Sequence, residues 1–222
     1  MLSKEQIEIN KGKFIKLLRS IQRENSAIEE LIDKLENSDF FTAPASTQYH
    51  SSFEGGLCQH SLNVFDQLVK LVDAEYPATV VDAGSEKITL ENKSCPISMD
   101  SILIVSLLHD ISKMNFYETS YRNAKDEAGN WVKVPFIKTR EAKDRFLYST
   151  HGVNSEYMVG RFIPLSLEES VAIINHMGGK EAGAPQFDGN LTEIFNRYPL
   201  ALLLHCADMI ATFKDESLFN QE

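Results

Sequence analysis

Apolar positions recur at helical spacing through most of the chain. Phe14, Leu18, Ile21, Ile28, Ile32 and Leu35 follow alternating steps of four and three, with Asn25 in the one missing place. That pattern predicts one long N-terminal helix over residues 1–38. Ser3 and Gln6 fit a capping box at its start, and Gly12 weakens its early part. Such a stripe suits either a coiled coil, hence a homodimer, or a helix laid across the body of its own chain; the second reading takes precedence. Residues 39–58 read as a loop, and the next helix is expected from near Leu57. Steps of four and three from His60 reach Val64, Leu68 and Leu71, so His60 shares the inward face of that helix. Residues 77–98 carry no strong period and read as an irregular excursion. Ser98 then suits the N-cap of a buried helix through Ile102–Leu108. Past it the period changes: Thr119–Ala124 and Trp131–Ile137 are strand-like and flank Asp126–Asn130, a turn composition. A β-hairpin inserted at about residues 117–138 is expected. Helices resume near His151, near Leu167 and near Leu191, the last apolar over Leu200–Leu204 and then carrying His205 and Asp208. The fold class is mainly α, a helical bundle over residues 39–213 with a small hairpin and a C-terminal tail at 214–222.

Composition narrows the possibilities. The 222 residues suit one domain with an appendage, and 43% hydrophobic content allows a substantial core. A net charge of −10 argues against a protein that coats extended duplex nucleic acid, although a small phosphorylated ligand remains compatible. Three cysteines, Cys58, Cys95 and Cys206, show no paired spacing. With no secretory leader and no long uncharged apolar run, a cytoplasmic protein without membrane contact is expected.

The chemistry begins at His109-Asp110, which ends the apolar run Ile102–Leu108 where a buried helix would carry leucine. An ionised carboxylate there costs several kcal/mol unless a counter-charge or metal compensates it. His60, His151, His176 and Asp208 are the further candidates, and the set reads as a metal site assembled from several helices. Imidazole and carboxylate suit one or two divalent ions among Mn, Fe, Zn, Ni, Co and Mg. Asp110 is the natural bridging ligand, having two oxygens. Lys113, one turn after His109, would meet an anionic ligand at the rim. Any one of these histidines alone reads as an ordinary core residue; the set with two buried carboxylates does not. His205 reads as a supporting or structural residue, and His50, in a loop, as a surface or substrate-facing one.

The order His60…His109-Asp110…Asp208 resembles the HD-domain superfamily of metal-dependent phosphohydrolases. Leu107-Leu108-His109-Asp110-Ile111-Ser112-Lys113 is similar to its His-Asp-x-x-Lys signature, with Ser112 where many members have Gly. Gly55-Gly56-Leu57-Cys58-Gln59-His60 resembles a Gly-Gly-Leu-x-x-His segment found in some exoribonuclease and conjugation-associated members. The resemblance covers roughly residues 40–213. It implies the HD-type helical bundle, and it places His151 and His176 where binuclear members carry two further histidines. The Gly-Tyr-Pro motif of the cyclic-dinucleotide phosphodiesterase branch is absent after His176, where Met-Gly-Gly-Lys follows, so that substrate is not expected.

What the resemblance implies is a first ion held by His60, His109, Asp110 and Asp208, and a second by His151, His176 and bridging Asp110. Asp110 and Lys113 would be the catalytic residues, with Lys113 against the substrate; apart from the resemblance, the charge of the hairpin points to Arg122, and a loop position to His50, as further substrate contacts. Segment 113–145 holds eight Lys/Arg against five Asp/Glu, a local positive excess in an acidic chain. That favours a phosphate ligand about as well as it describes a solvated hairpin. Four glycines within residues 178–190 suit a lid or a plain connection. The expected activity is phosphoester hydrolysis of a nucleotide or related small phosphorylated substrate, including a single-stranded end. The alternatives are a di-iron oxygenase on the same scaffold and a non-catalytic metal-containing binding module.

Overall fold

The computed structural model describes residues 2–47, 51–77, 95–127, 129–146, 149–178 and 191–216. Among them are eight α-helices: α1 (Lys4–Arg19), α2 (Ile28–Glu36), α3 (Gly56–Glu75), α4 (Met99–Leu108), α5 (His151–Gly160), α6 (Leu167–Asn175), α7 (Leu191–Arg197) and α8 (Pro199–Ile210). One antiparallel hairpin, β1 (Tyr117–Lys125) with β2 (Trp131–Thr139), stands between α4 and α5 in register Tyr117↔Thr139 to Lys125↔Trp131. The mainly helical class with a small hairpin is therefore correct. No helix among the described residues is long and apolar enough to cross a membrane.

The expected single N-terminal helix is two. The chain turns between Arg19 and Ile28, and Asn25, the residue that interrupts the apolar stripe, adopts φ 57°. Asn tolerates that left-handed conformation better than most side chains. The stripe survives the turn because both helices face one core: Phe14, Leu18, Ile21, Ile32 and Leu35 are all buried in it. Ser3 does cap α1, accepting from the Gln6 amide at 3.1 Å, but the Gln6 side chain donates to Asn10 instead of closing a capping box. The expected helix from Leu191 is also two. Pro199 has no N–H and disfavours helical geometry at the residue before it, and Tyr198 sits at φ −125°, ψ 86°.

Core burial is centred on α3, which packs against α1, α4 and α8, while α6 packs against α4, α5 and α8. Residues 39–47, expected as loop, contribute Phe40, Phe41, Ala43 and Ala45 to the buried interior without forming a helix. Phe40 and Phe41 are buried with Phe14, at ring-centroid separations of 5.1, 5.3 and 5.7 Å. Offset aromatic contacts of this kind add to the burial of large apolar surfaces.

A buried ion pair ties the N-terminal turn to the bundle. Glu169 is 0% exposed. Arg23 grips it with two nitrogens, at 2.6 and 3.1 Å, and also donates to the Pro164 carbonyl at 2.9 Å. Glu169 accepts from the Ser101 hydroxyl and the Ser166 amide, both at 2.7 Å, the latter closing a capping box on α6. Burial opposes ionisation of Glu169, yet these donors outweigh it and hold its carboxyl below the usual range. A carboxylate depressed on folding contributes stability above its unfolded pKa of about 4.3 and loses it as pH falls through the folded value. Arg23→Ala should destabilise the protein by about 3 kcal/mol at pH 7, since it strands a buried charge. Urea unfolding at pH 7 and in the acid range measures this, and the deficit should shrink as Glu169 becomes protonated.

Candidate metal centre

Four helices and the turn after α4 carry the candidate ligands to one place. His60 projects inward from the first half of α3, Asp208 from α8, and His151 opens α5. His109 and His176 occupy equivalent positions, each the C-cap residue of its helix. Each uses the same local device. His109 Nδ1 donates to the Ser106 carbonyl at 2.9 Å, and His176 Nδ1 donates to the Ile173 carbonyl at 2.7 Å. A last-turn carbonyl accepts only, so the proton belongs on Nδ1 and the Nε2 lone pair points into the cluster.

The Nε2 atoms then crowd together. Those of His60 and His109 are 3.3 Å apart, and those of His151 and His176 are 3.0 Å apart. Asp110, 2% exposed, lies between the two pairs. Its Oδ2 faces His109 at 3.5 Å and His60 at 3.6 Å. Its Oδ1 faces His151 at 3.4 Å and His176 at 3.5 Å. Asp208 Oδ1 is 3.1 Å from His60 Nε2. Donor atoms around a divalent ion at about 2.1 Å sit about 3.0–3.4 Å from one another in octahedral or tetrahedral geometry. The separations in the cluster, 3.0–3.6 Å, fall within or just above that spacing, and Asp110 Oδ1 is buried with no hydrogen-bond partner among the described residues. Two groupings, His60 with His109 and Asp208, and His109 with Asp110 and His176, could each hold a metal ion. The donor set is therefore one that could hold a metal ion.

The electrostatics suit a ligand role at Asp110 and His109 and set a condition at His60. Burial opposes the Asp110 charge, but the Lys113 ammonium and the facing imidazoles outweigh it and keep the carboxyl well below its usual range. Burial, helped by the neighbouring His176 and His60, outweighs the pull of Asp110 and Asp208 and carries His109 down to about 3, so it is neutral, as a ligand must be. Burial also disfavours the charge on His60, but Glu216 and Asp208 reverse that and raise it to about 10, so the ring carries an Nε2 proton toward Asp208 that a metal ion would have to displace. Lys113 Nζ is 2.7 Å from Asp110 Oδ2, and its side chain is 13% exposed. Burial would strip its proton; Asp110 more than compensates, so Lys113 stays a fixed positive charge at the rim.

Glu216 was placed in the tail by its sequence position and belongs to the centre. Its Oε1 accepts from His60 Nδ1 at 3.0 Å and from Asn63 at 2.9 Å, and its Oε2 accepts from the Ser51 hydroxyl at 2.6 Å. A π-helical turn over Ala211–Asp215 ends with the Glu216 amide donating to the Ala211 carbonyl at 3.0 Å. The extra residue in that turn re-aims the chain, and no sequence period reports such a change. Folded structure therefore continues past 213, the expected end of the domain.

Two glycines let these elements close. A Cβ on Gly56 would overlap the Ser51 carbonyl, so the start of α3 approaches the strand of chain that holds Glu216 only with glycine there. A Cβ on Gly152 would lie 2.5 Å from the Ile174 carbonyl oxygen, and this close approach of α5 to α6 brings His151 onto His176.

The remaining candidates are elsewhere. Arg122 is exposed on β1, its guanidinium 5.8 Å from the Phe136 ring centroid, and no hydrogen bond or ion pair joins it to the cluster among the described residues. Within the positive segment, Lys138, Lys143 and Arg140 are paired with Glu118, Glu141 and Asp39. His205 supports the site indirectly, donating from Nδ1 to the His176 carbonyl at 2.6 Å. His50 lies outside the described residues, as do all of the glycine-rich segment after Gly178 and most of the 77–98 excursion. Comparison of the chain with protein-family models, curated proteins and solved structures found no match.

Glu216→Ala should weaken metal binding about tenfold or more while leaving the helical content intact, because His60 loses the acceptor that fixes its orientation. Metal titration alongside circular dichroism reads this; unchanged affinity would remove Glu216 from the centre.

Proposed function

We propose that this chain is a metal-dependent phosphohydrolase of the HD-domain type, acting on a phosphoester of a nucleotide or related small phosphorylated compound. The observation that carries the reading is the two-sided use of Asp110. One oxygen faces His60 and His109, the other faces His151 and His176, and among the described residues the carboxylate has no other partner on its Oδ1 side. His60, His109, Asp208 and Asp110 Oδ2 would hold one divalent ion; His151, His176 and Asp110 Oδ1 would hold a second. Such ions, when bound, supply an acidified water and a polarised phosphoryl oxygen.

The chain's own residues set the remaining conditions. Asp110 stays ionised and so acts as an acceptor and ligand, not as a proton donor. Lys113 keeps its proton, which excludes it as a general base and leaves it as an electrostatic partner for an anionic substrate. Asp110, Asp208 and Glu216 together with Lys113 leave two net negative charges, which two divalent ions would overcompensate. A centre charged in that way attracts phosphoesters. The same nitrogen and oxygen donors also suit iron, and this supports the second reading, a di-iron oxygenase.

Elemental analysis of the purified protein, paired with anaerobic phosphate release from a panel of phosphoesters under added Mn, Co, Ni, Zn, Fe or Mg, tests the proposal. Metal-dependent release without oxygen is the expected result; bound iron with oxygen consumption and no release would move the assignment to the oxygenase. Asp110→Asn should lower metal content and cut turnover by about a hundredfold or more, with helical content preserved. Lys113→Ala should keep the metal but lower turnover on a phosphorylated substrate about a hundredfold. Turnover equal to wild type in steady-state assays would remove Lys113 from the mechanism.

A further inference from the structure

The hairpin has two unlike faces. Paired residues of an antiparallel ribbon share a face, and successive residues alternate between faces. One face therefore carries Tyr117, Tyr121 and Lys125 of β1 with Lys133 and Trp131 of β2, and no Asp or Glu. Glu118, Arg122 and Val132 belong to the other. Tyr121 is 64% exposed and Trp131 71%, so neither ring is there to fill the core. The Lys125 ammonium lies 5.4 Å from the Trp131 ring centroid. Neither Lys125 nor Lys133 is paired with a carboxylate among the described residues. From the base outward, Tyr117, Tyr121, Lys133 and then Trp131 with Lys125 interleave rings and cations over about 27 Å of strand. Rings set among cations are what a chain of bases and phosphates requires.

The inner end of this face meets the metal centre. Burial raises the Tyr117 phenol, while Lys113 pulls it back and Asp110 pushes it up, so both charges reach the ring. Its hydroxyl makes no hydrogen bond among the described residues. Beside it, Tyr117, Thr119 and Ile137 wall a groove of about 340 Å³ against Thr42 and Pro44. Asp39 and Glu118 in that wall are matched by Arg140 and Lys138, and Glu54 is the remaining acid.

We propose that this face of the hairpin binds single-stranded nucleic acid, with bases stacked on Tyr121 and Trp131, phosphates against Lys125 and Lys133, and one strand end led past Tyr117 toward Asp110 and Lys113. The delivery of that end rests on the phosphohydrolase reading; the binding does not.

Trp131 is the only tryptophan of the chain, so its fluorescence reports contact directly. An oligouridine of about ten nucleotides should quench it in the full chain, and anisotropy of the labelled strand should give an affinity that falls as salt rises. Tyr121→Ala and Trp131→Ala should each weaken binding about tenfold, with Trp131→Phe recovering most of the loss. Lys133→Glu should weaken it about tenfold and lessen its salt dependence. Val132→Ala, on the opposite face, should leave it unchanged. All four positions are exposed, and circular dichroism checks that each variant keeps the fold. Oligodeoxythymidine run in parallel separates an RNA surface from a general single-strand one. Absence of binding at about 0.1 mM strand, or binding untouched by the Tyr121, Trp131 and Lys133 substitutions, would overturn the proposal. So would binding lost altogether on chelation with helical content intact, which would place it at the metal centre. Self-association that Trp131→Ala abolishes, in a chain that binds no strand, would reassign the face to a contact between copies. Strand binding without metal-dependent phosphate release would sink the phosphohydrolase reading alone.

Discussion

An ionised carboxylate at the end of an apolar helix is tolerated only where its surroundings return what burial removes, and Asp110 is the point at which this fold meets that condition. Lys113 supplies a positive charge at 2.7 Å, and imidazoles approach both oxygens at 3.4–3.6 Å. Charge attraction at low dielectric is strong enough to offset desolvation only when the geometry is held. Much of the bundle can be read as the means of holding it: α3 and α8 meet on one side of Asp110, α5 and α6 on the other.

Precision at such a site comes from side chains whose second polar atom is already committed. His109 and His176 close the ends of their helices with Nδ1, which leaves Nε2 facing inward; His60 commits Nδ1 to Glu216. Each ring thus has one end fixed by backbone or carboxylate, and the rotational freedom that would otherwise be lost on binding an ion is already gone. The same economy appears at Gly152, where the lack of a side chain allows two helices to approach and two imidazoles to meet.

Much of this was legible in the sequence, for identifiable reasons. The helix carrying His60 and the one ending at His109 have apolar periods strong enough to show which way the histidines face, and the hairpin was marked by its alternation and its turn residues. All six candidate ligands converge. The failures are equally physical. The apolar stripe of residues 14–35 runs through a chain reversal because both sides of the turn bury into one core, so period alone could not reveal the turn at Asn25. Pro199 marks a helix start that the apolar period across residues 191–204 hides. Glu216 lay beyond the last clear apolar period, and its part in the centre depends on a π-helical turn that leaves no compositional trace. The charge of Arg122 says nothing about where a strand residue points.

The hydrogen bond between His60 and Glu216 joins residues 156 positions apart, with Asp208 also arriving late in the chain. Synthesis runs from the N-terminus, so α3 and α4 are made long before the segment that orients His60 and completes its surroundings. Until then His60 has neither of the carboxylates that balance it, and the start of the bundle carries imidazoles with no built cavity around them. A chain that stops before Asp208 therefore holds an incomplete donor set, and the set that could hold an ion is complete only once Asp208 and Glu216 have joined it.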